Sequence, residues 1–396
     1  MVTDLLMGSE PQQKPTVLIS AHYFLPANKA GGPPKSIANL IDTLKESFRF
    51  KVICSNHEFR APDEPLPVTS DAWVRYDGRD VLFQSPSLGA VLILIKESLR
   101  RDVSTIYFNS FFDPRYTILP LLVMSFFTRK SLFISPRGEF SGSALQIKGS
   151  QKKVYLRFFK FLALQRRVKW LATSEKEKQD LLREFGHLDN IYVAANLPSP
   201  KFPDLKTGCL KRPEGLRLVY LARIAPMKNT RFLFRVLQAV KANVVVDIWG
   251  PIEDTSYWQE CLSLAGQLPG NIELSYKGEV PSADVLDVLS NYDAYFLPTL
   301  GENFGHSIFE AMSVGLPVII SDQTPWRRLS SQGVGYDLPL ENPEQFAQAI
   351  EAYAGMDSDA FTETRHRVRT FAESYIQTNK NVELARAAFS QERNPI

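Results

Sequence analysis

Two series of strand-like and helix-like segments, separated by one break dense in proline and glycine, constrain this chain more than any other feature. From Thr16 onward, short runs rich in β-branched and aromatic residues read as strands: Val17–Ala21, Lys51–Ser55, Thr105–Ser110, Leu132–Ser135, Trp170–Ser174 and Ile191–Ala194. Between them lie stretches such as Lys35–Glu46, where Ile37, Leu40, Ile41 and Leu44 recur at helical spacing. Strands apolar on both faces that alternate with helices predict a parallel sheet covered on both sides. The segment Leu197–Gly215 then brings Pro198, Pro200, Pro203, Gly208, Pro213 and Gly215 without periodicity, the composition of an interdomain linker. Beyond it the alternation restarts, with strands expected at Leu218–Leu221, Val244–Trp249, Ile272–Tyr276, Ala294–Leu297 and Pro317–Ser321.

The expected organisation is a tail over 1–15, a Rossmann-like α/β domain over 16–196, the linker 197–215, a second Rossmann-like domain over 216–367, and a terminal segment 368–396. Its helical pattern, Val368–Ala388, is placed to pack back on the first domain. Two doubly wound parallel-sheet units in one chain imply a central cleft, with ligands at the carboxyl ends of the strands.

Composition narrows the function classes. At 396 residues the chain exceeds one ordinary core and suits two domains of about 150–200 residues. A formal charge of +3 gives no reason to expect a nucleic-acid partner. Cys54, Cys209 and Cys261 lie far apart with no metal-ligand spacing and read as reduced thiols, which suits a cytoplasmic chain. Residues 1–15 carry Asp4 and Glu10 and lack the pattern of a secretory signal. Apolar stretches such as Thr117–Phe127 fall short of the roughly 20 residues of a spanning helix.

The strongest local signal is Gly301-Glu302-Asn303-Phe304-Gly305-His306-Ser307-Ile308-Phe309-Glu310-Ala311-Met312, which follows an expected strand and opens a helix. Gly305 lets a ligand approach the backbone, and free N–H groups at a helix start favour an anion. Glu310 is a carboxylate among apolar neighbours, so it needs a partner, and ribose hydroxyls fit. Glu302 suits sugar hydroxyls. A capping acid and a solvated surface Glu account for the same letters. A second cluster puts Arg223 at a strand's carboxyl end and Lys228 in the loop beyond, two cations suited to a diphosphate. A third, Tyr23–Pro33, holds Gly31 and Gly32 before a helix, where backbone N–H groups can meet phosphate; a plain Gly-Pro turn reads equally well.

Together these clusters resemble the retaining glycosyltransferases of the large group 1 family, family 4. Its Glu-x7-Glu signature is matched by Glu302 and Glu310, and its Ala-Met-x-x-Gly-x-Pro-Val run by Ala311–Val318. The resemblance extends from Thr16 to about Phe389 and is most specific over Leu297–Trp326. It implies a GT-B fold and a nucleotide-diphosphate sugar as donor, UDP or GDP before ADP, with no further cofactor and no metal. Arg223 and Lys228 would meet the diphosphate, Glu310 the ribose and Glu302 the transferred sugar. Backbone at Asn303, Phe304 and Gly305 would contact sugar or phosphate, Gly31 and Gly32 would close on the diphosphate, and the base would lie near Gly278 and Val280. His306 reads equally as a donor contact or a structural hydrogen bond. Where many relatives have Pro-His-Gly, this chain has Pro136-Arg137-Gly138-Glu139; Arg137 suits a sugar or phosphate but is a poor base, and the role of Glu139 stays open. Reaction on one face of the sugar, the leaving phosphate taking the acceptor proton, is also implied, with a saccharide or lipid-linked acceptor in surface polysaccharide assembly.

Two further patterns carry weaker signals. Asp357-Ser358-Asp359 precedes a helical pattern and reads as a cap rather than a metal site. Lys148–Lys169 interleaves eight cations with Phe158, Phe159, Phe161, Leu162 and Leu164, with no acid between Glu139 and Glu175. That composition suits either an anionic membrane surface at the inner face of the cytoplasmic membrane or a core helix with a basic solvated face. A sugar-nucleotide epimerase of GT-B-like fold and a catalytically silent sugar-nucleotide-binding subunit are the alternatives. The first would need an acid/base pair that the five histidines do not suggest by spacing.

Overall fold

The structure, a computed structural model, describes residues 14–27, 29–59, 61–85, 87–141, 145, 149–205 and 215–390. The tail to residue 13, Asn28, Lys148, the linker stretch 206–214 with Gly208, Cys209 and Pro213, and residues 391–396 lie outside the described residues.

The first domain contains β1 (Thr16–Ser20), β2 (Arg49–Ser55), β3 (His57–Glu58), β4 (Ala61–Pro65), β5 (Trp73–Tyr76), β6 (Arg79–Gln84), β7 (Val103–Phe108), β8 (Ser131–Ile134), β9 (Lys169–Ala172) and β10 (Ile191–Val193). Eight of them form a sheet in the order β10-β9-β8-β7-β1-β2-β6-β5, and β3 and β4 make a separate pair. All neighbours in the large sheet are parallel except β5, which runs antiparallel at the edge. Alternate residues of one strand feed two cores. Val17 and Ile19 of β1 join Ile37, Leu40 and Ile41 of the helix Gly32–Leu44, whereas Leu18 joins Leu94, Leu121, Leu156 and Leu181 from helices on the opposite face. This two-sided burial is why the strands read as continuous apolar runs.

The second domain contains β11 (Leu216–Leu221), β12 (Val244–Trp249), β13 (Ile272–Gly278), β14 (Ala294–Leu297), β15 (Val318–Ser321) and β16 (Gly335–Leu338). They form an all-parallel sheet in the order β13-β12-β11-β14-β15-β16. Strand order reverses between β11 and β14, and in the first sheet between β1 and β7. Such switch points open a crevice at the carboxyl ends of the strands.

Two features differ from the sequence reading. The region His57–Gln84 contributes β3 to β6, and β16 extends the second sheet. Asp63 and Glu64 in the surface pair, Arg75 on the edge strand β5 and Asp337 on the edge strand β16 lie where solvent replaces the apolar neighbour that periodicity relies on, whereas β6 inside the sheet opens with the buried Arg79, which is paired with Asp42 and Asp77. The pattern Val368–Ala388 is two helices, Ser358–Thr378 and Lys380–Ser390, broken at Asn379 with ψ 97°. Val368 and Ala372 belong to the second core, while Ala385, Ala388 and Phe389 belong to the first. The boundary expected at 367/368 therefore falls inside an unbroken helix, and the chain returns to the first domain at Asn379.

Candidate active site

The carboxyl ends of the two sheets face each other across a cavity of about 930 Å³, within the range of roughly 300–1,000 Å³ for small-ligand sites. Gly31, Gly32, Lys35 and Arg137 line it from the first domain, and Arg223, Lys228, Val280 and Glu302 through His306 from the second. Gly278 is not among its lining residues, and neither is Glu310.

Arg223 leaves the end of β11 and pairs with Glu253. Lys228 closes a 3-10 turn, Pro226–Lys228, and pairs with Glu302. That turn is tied to the opposite loop: Leu300 N–H and the Thr299 hydroxyl both donate to the Met227 carbonyl, at 2.9 and 3.1 Å. The Tyr220 hydroxyl donates to the Lys228 carbonyl at 3.1 Å. A cation and an acid from separate strand ends are thus held as one unit. Behind it, the Trp326 indole donates to the Phe304 carbonyl at 2.6 Å, and the buried Phe304 ring packs with Phe309, Trp326 and Tyr375. Phe304 therefore offers a ligand its backbone, while its ring belongs to the core.

Gly31 has φ 75°, and a Cβ there would lie 3.3 Å from Arg223 Nε, so the glycine allows the first domain to close on the arginine. From the same helix, Lys35 Nζ lies 2.8 and 2.9 Å from the two carboxylate oxygens of Glu310. The Ser36 hydroxyl and Asn39 amide meet His306 Nε2 and Nδ1 at 2.8 and 3.4 Å. His306 titrates at about 3, held down by burial and then by Lys35 and Arg137, so it is a neutral hydrogen-bonded joint between the domains at neutral pH.

Arg137 follows β8 with φ 54°. Its guanidinium donates to Asn109 Oδ1 and the Tyr107 hydroxyl, each at 2.8 Å, and to Asn196. Neutral acceptors fix its direction and leave its charge for the cavity. Glu139 accepts from Ser110 Oγ at 2.8 Å and from Phe111 and Phe112 N–H. Burial raises its pKa, with those hydrogen bonds opposing. It does not line the cavity, and it braces the loop after β7.

Sequence reasoning missed two pairings. Lys35, Ser36 and Asn39 share one helical face with Gly32, but nothing in their spacing reveals a facing helix from another domain. His22 and Asp113, with Nδ1 to Oδ2 at 2.6 Å, join the loops after β1 and β7 at the first sheet's switch point. They are 91 residues apart. Asp357 accepts from Ala360 N–H at 2.8 Å as a helix cap.

Two doubly wound domains facing a cation-lined cleft define the GT-B fold. Solved structures agree at the level of fold: Anabaena HepE in complex with UDP-glucose superposes with TM-score 0.62 at 16% identity, over 94% of this chain and 98% of that one. WaaG, a glycosyltransferase involved in lipopolysaccharide biosynthesis, gives 0.60 at 12%, over 95% and 100%. Residues 205–374, which take in most of the second domain, match the family described as glycosyl transferases group 1. Phosphatidyl-myo-inositol mannosyltransferase of Mycolicibacterium smegmatis is 29% identical over 143 residues, 35% of this chain and 36% of that protein. O-antigen chain mannosyltransferase B of Escherichia coli is 27% identical over 168 residues, 39% of this chain and 43% of that protein. The matched region thus spans less than half the length of either relative.

Proposed function

We propose that this protein transfers a hexose-type sugar, with retention, from a UDP or GDP sugar to a saccharide or lipid-linked acceptor in surface-polysaccharide assembly, without a metal. One observation carries the donor class: three cations that line the cleft are each paired with a carboxylate, Lys228 with Glu302, Arg223 with Glu253 and Lys35 with Glu310. A nucleotide sugar is an anion flanked by two sets of hydroxyls. It can take the cations with its diphosphate while its hydroxyls satisfy the carboxylates those cations release. Arg223 and Lys228 would then stabilise charge building on the leaving diphosphate. UDP-glucose in the HepE complex and the mannosyltransferase names of two relatives support a hexose donor. A panel of UDP-, GDP- and ADP-sugars scored by thermal shift tests this, since a ligand selective for the folded state raises its stability. Absence of a shift with every member would sink the donor assignment.

Exposed side chains support a membrane-facing role for the first domain. On the helix Gly149–Phe161, Val154, Phe158 and Phe161 are 66, 47 and 85% exposed at i, i+4 and i+7. Lys153 and Arg157 flank them at the surface. Phe126 and Phe127, at the end of the helix Leu119–Phe127, are 64 and 76% exposed. No helix of the described residues is long and apolar enough to cross a membrane; this surface suits peripheral contact with an anionic leaflet. Co-flotation with anionic vesicles, lost at high salt and in a Phe158→Ser/Phe161→Ser variant, is expected; no co-flotation at low salt would refute the contact.

A further inference from the structure

We propose that Lys35 is a latch between the domains, gating access of the donor's ribose to Glu310. The proposal deepens the donor reading above and rests on it. Lys35 lines the cavity and Glu310 does not. The lysine ammonium straddles the carboxylate, 2.8 Å from one oxygen and 2.9 Å from the other. The lysine comes from the first domain and the glutamate from the second, so the pair exists only while the helices Gly32–Leu44 and His306–Ser313 are apposed. The contact is built rather than incidental. Gly32, Lys35, Ser36 and Asn39 fall at i, i+3, i+4 and i+7 on one face, and His306 and Glu310 at i and i+4 on the other. His306 holds the neighbouring rung through Ser36 at 2.8 Å.

Chemistry then sets an exchange. An ionised carboxylate has about four lone-pair sites, and an ammonium across both oxygens takes the approach a vicinal diol would use. A ribose pairing both hydroxyls with Glu310 must displace Lys35, whereas a nucleotide lacking one hydroxyl gains less from that displacement. Lys35 therefore lowers the protein's preference for ribo over deoxy nucleotides and couples donor binding to loosening of one interdomain rung.

The test measures equilibrium binding of UDP and GDP, and of their 2′-deoxy and 3′-deoxy counterparts, by calorimetry. The proteins are wild type, Lys35→Met, Lys35→Arg, Glu310→Gln and the Lys35→Met/Glu310→Gln double variant, each first checked for a cooperative melt. The expected result is a ribo-over-deoxy preference that rises roughly fivefold in Lys35→Met, the scale of a partly exposed ion pair. It stays near wild type in Lys35→Arg and does not rise in the double variant, because the gated acceptor is gone. An unchanged preference in Lys35→Met overturns the latch. A falling preference overturns it too, since Lys35 would then assist Glu310 rather than block it. Should wild type bind neither nucleotide, the donor reading fails and the latch with it. Binding by wild type with no effect of Lys35 leaves the donor reading standing and removes the latch alone.

Discussion

Lys228 and Glu302 are paired with each other in the structure, and in the proposed function they would act together, each released by the donor. Lys228→Ala is expected to raise the transfer barrier by at least about 2 kcal/mol, the scale of a lost charge-stabilising donor, visible as a fall of more than tenfold in kcat/KM. Near-normal turnover would remove the lysine from the mechanism. His306 supports a pH prediction. Its pKa in the folded protein, about 3, lies below the ordinary value of 6.5, so the unfolded chain takes up a proton first. Stability is fully present above about pH 6.5 and falls as pH drops from there toward 3. His306→Gln should flatten the thermal-melting difference between pH 7.5 and pH 5, and an unaltered difference would show that other groups control it. Part of this site was legible in the sequence: Arg223 and Lys228 follow a strand end, and Glu302 lies in a loop after a strand, in a segment whose resemblance to the group 1 family implied a donor. Lys35 was not, because a lysine early in a helix reads as solvated unless the opposing surface is known. His22 and Asp113 were hidden for the same reason, since folding alone brings those loops together.

At the level of elements, the close approach of the ends of the parallel neighbours β11 and β12 fixes where Arg223 leaves the sheet. Gly250 follows β12 with φ 138°, and a Cβ there would stand 2.0 Å from the Ala222 carbonyl. The two strand ends pass in backbone contact immediately before the arginine. Gly250→Ala is expected to destabilise the second domain by about 2 kcal/mol or more through strain and overpacking. Urea denaturation would read that loss, and a midpoint within error of wild type would contradict it. Strands buried on both faces, such as β1 and β11, were legible because their cores demand unbroken apolar runs. Edge strands such as β5 and β16 were not, because one side meets solvent and tolerates Arg75 or Asp337. The break at Asn379 escaped notice because helical spacing continues across it while the direction of burial changes.

On the scale of the whole molecule, the final helix returns to the first domain and places Phe389 against Phe48, Tyr107 and Phe133, with ring centroids 5.1 to 6.0 Å apart. Phe389→Ala is expected to destabilise the first domain by roughly 3–5 kcal/mol, the usual loss for a core aromatic. Calorimetry would show that domain's transition moving further than the second domain's; equal shifts would argue that the two unfold as one. The return also bears on the order of events at the ribosome. The opening half of the chain emerges first, yet its hydrophobic interior stays short of three side chains until translation has run through the second domain entirely. Early during synthesis that half must either wait in a loosened form or borrow cover from a chaperone, and the lobe made second is the one able to finish folding first.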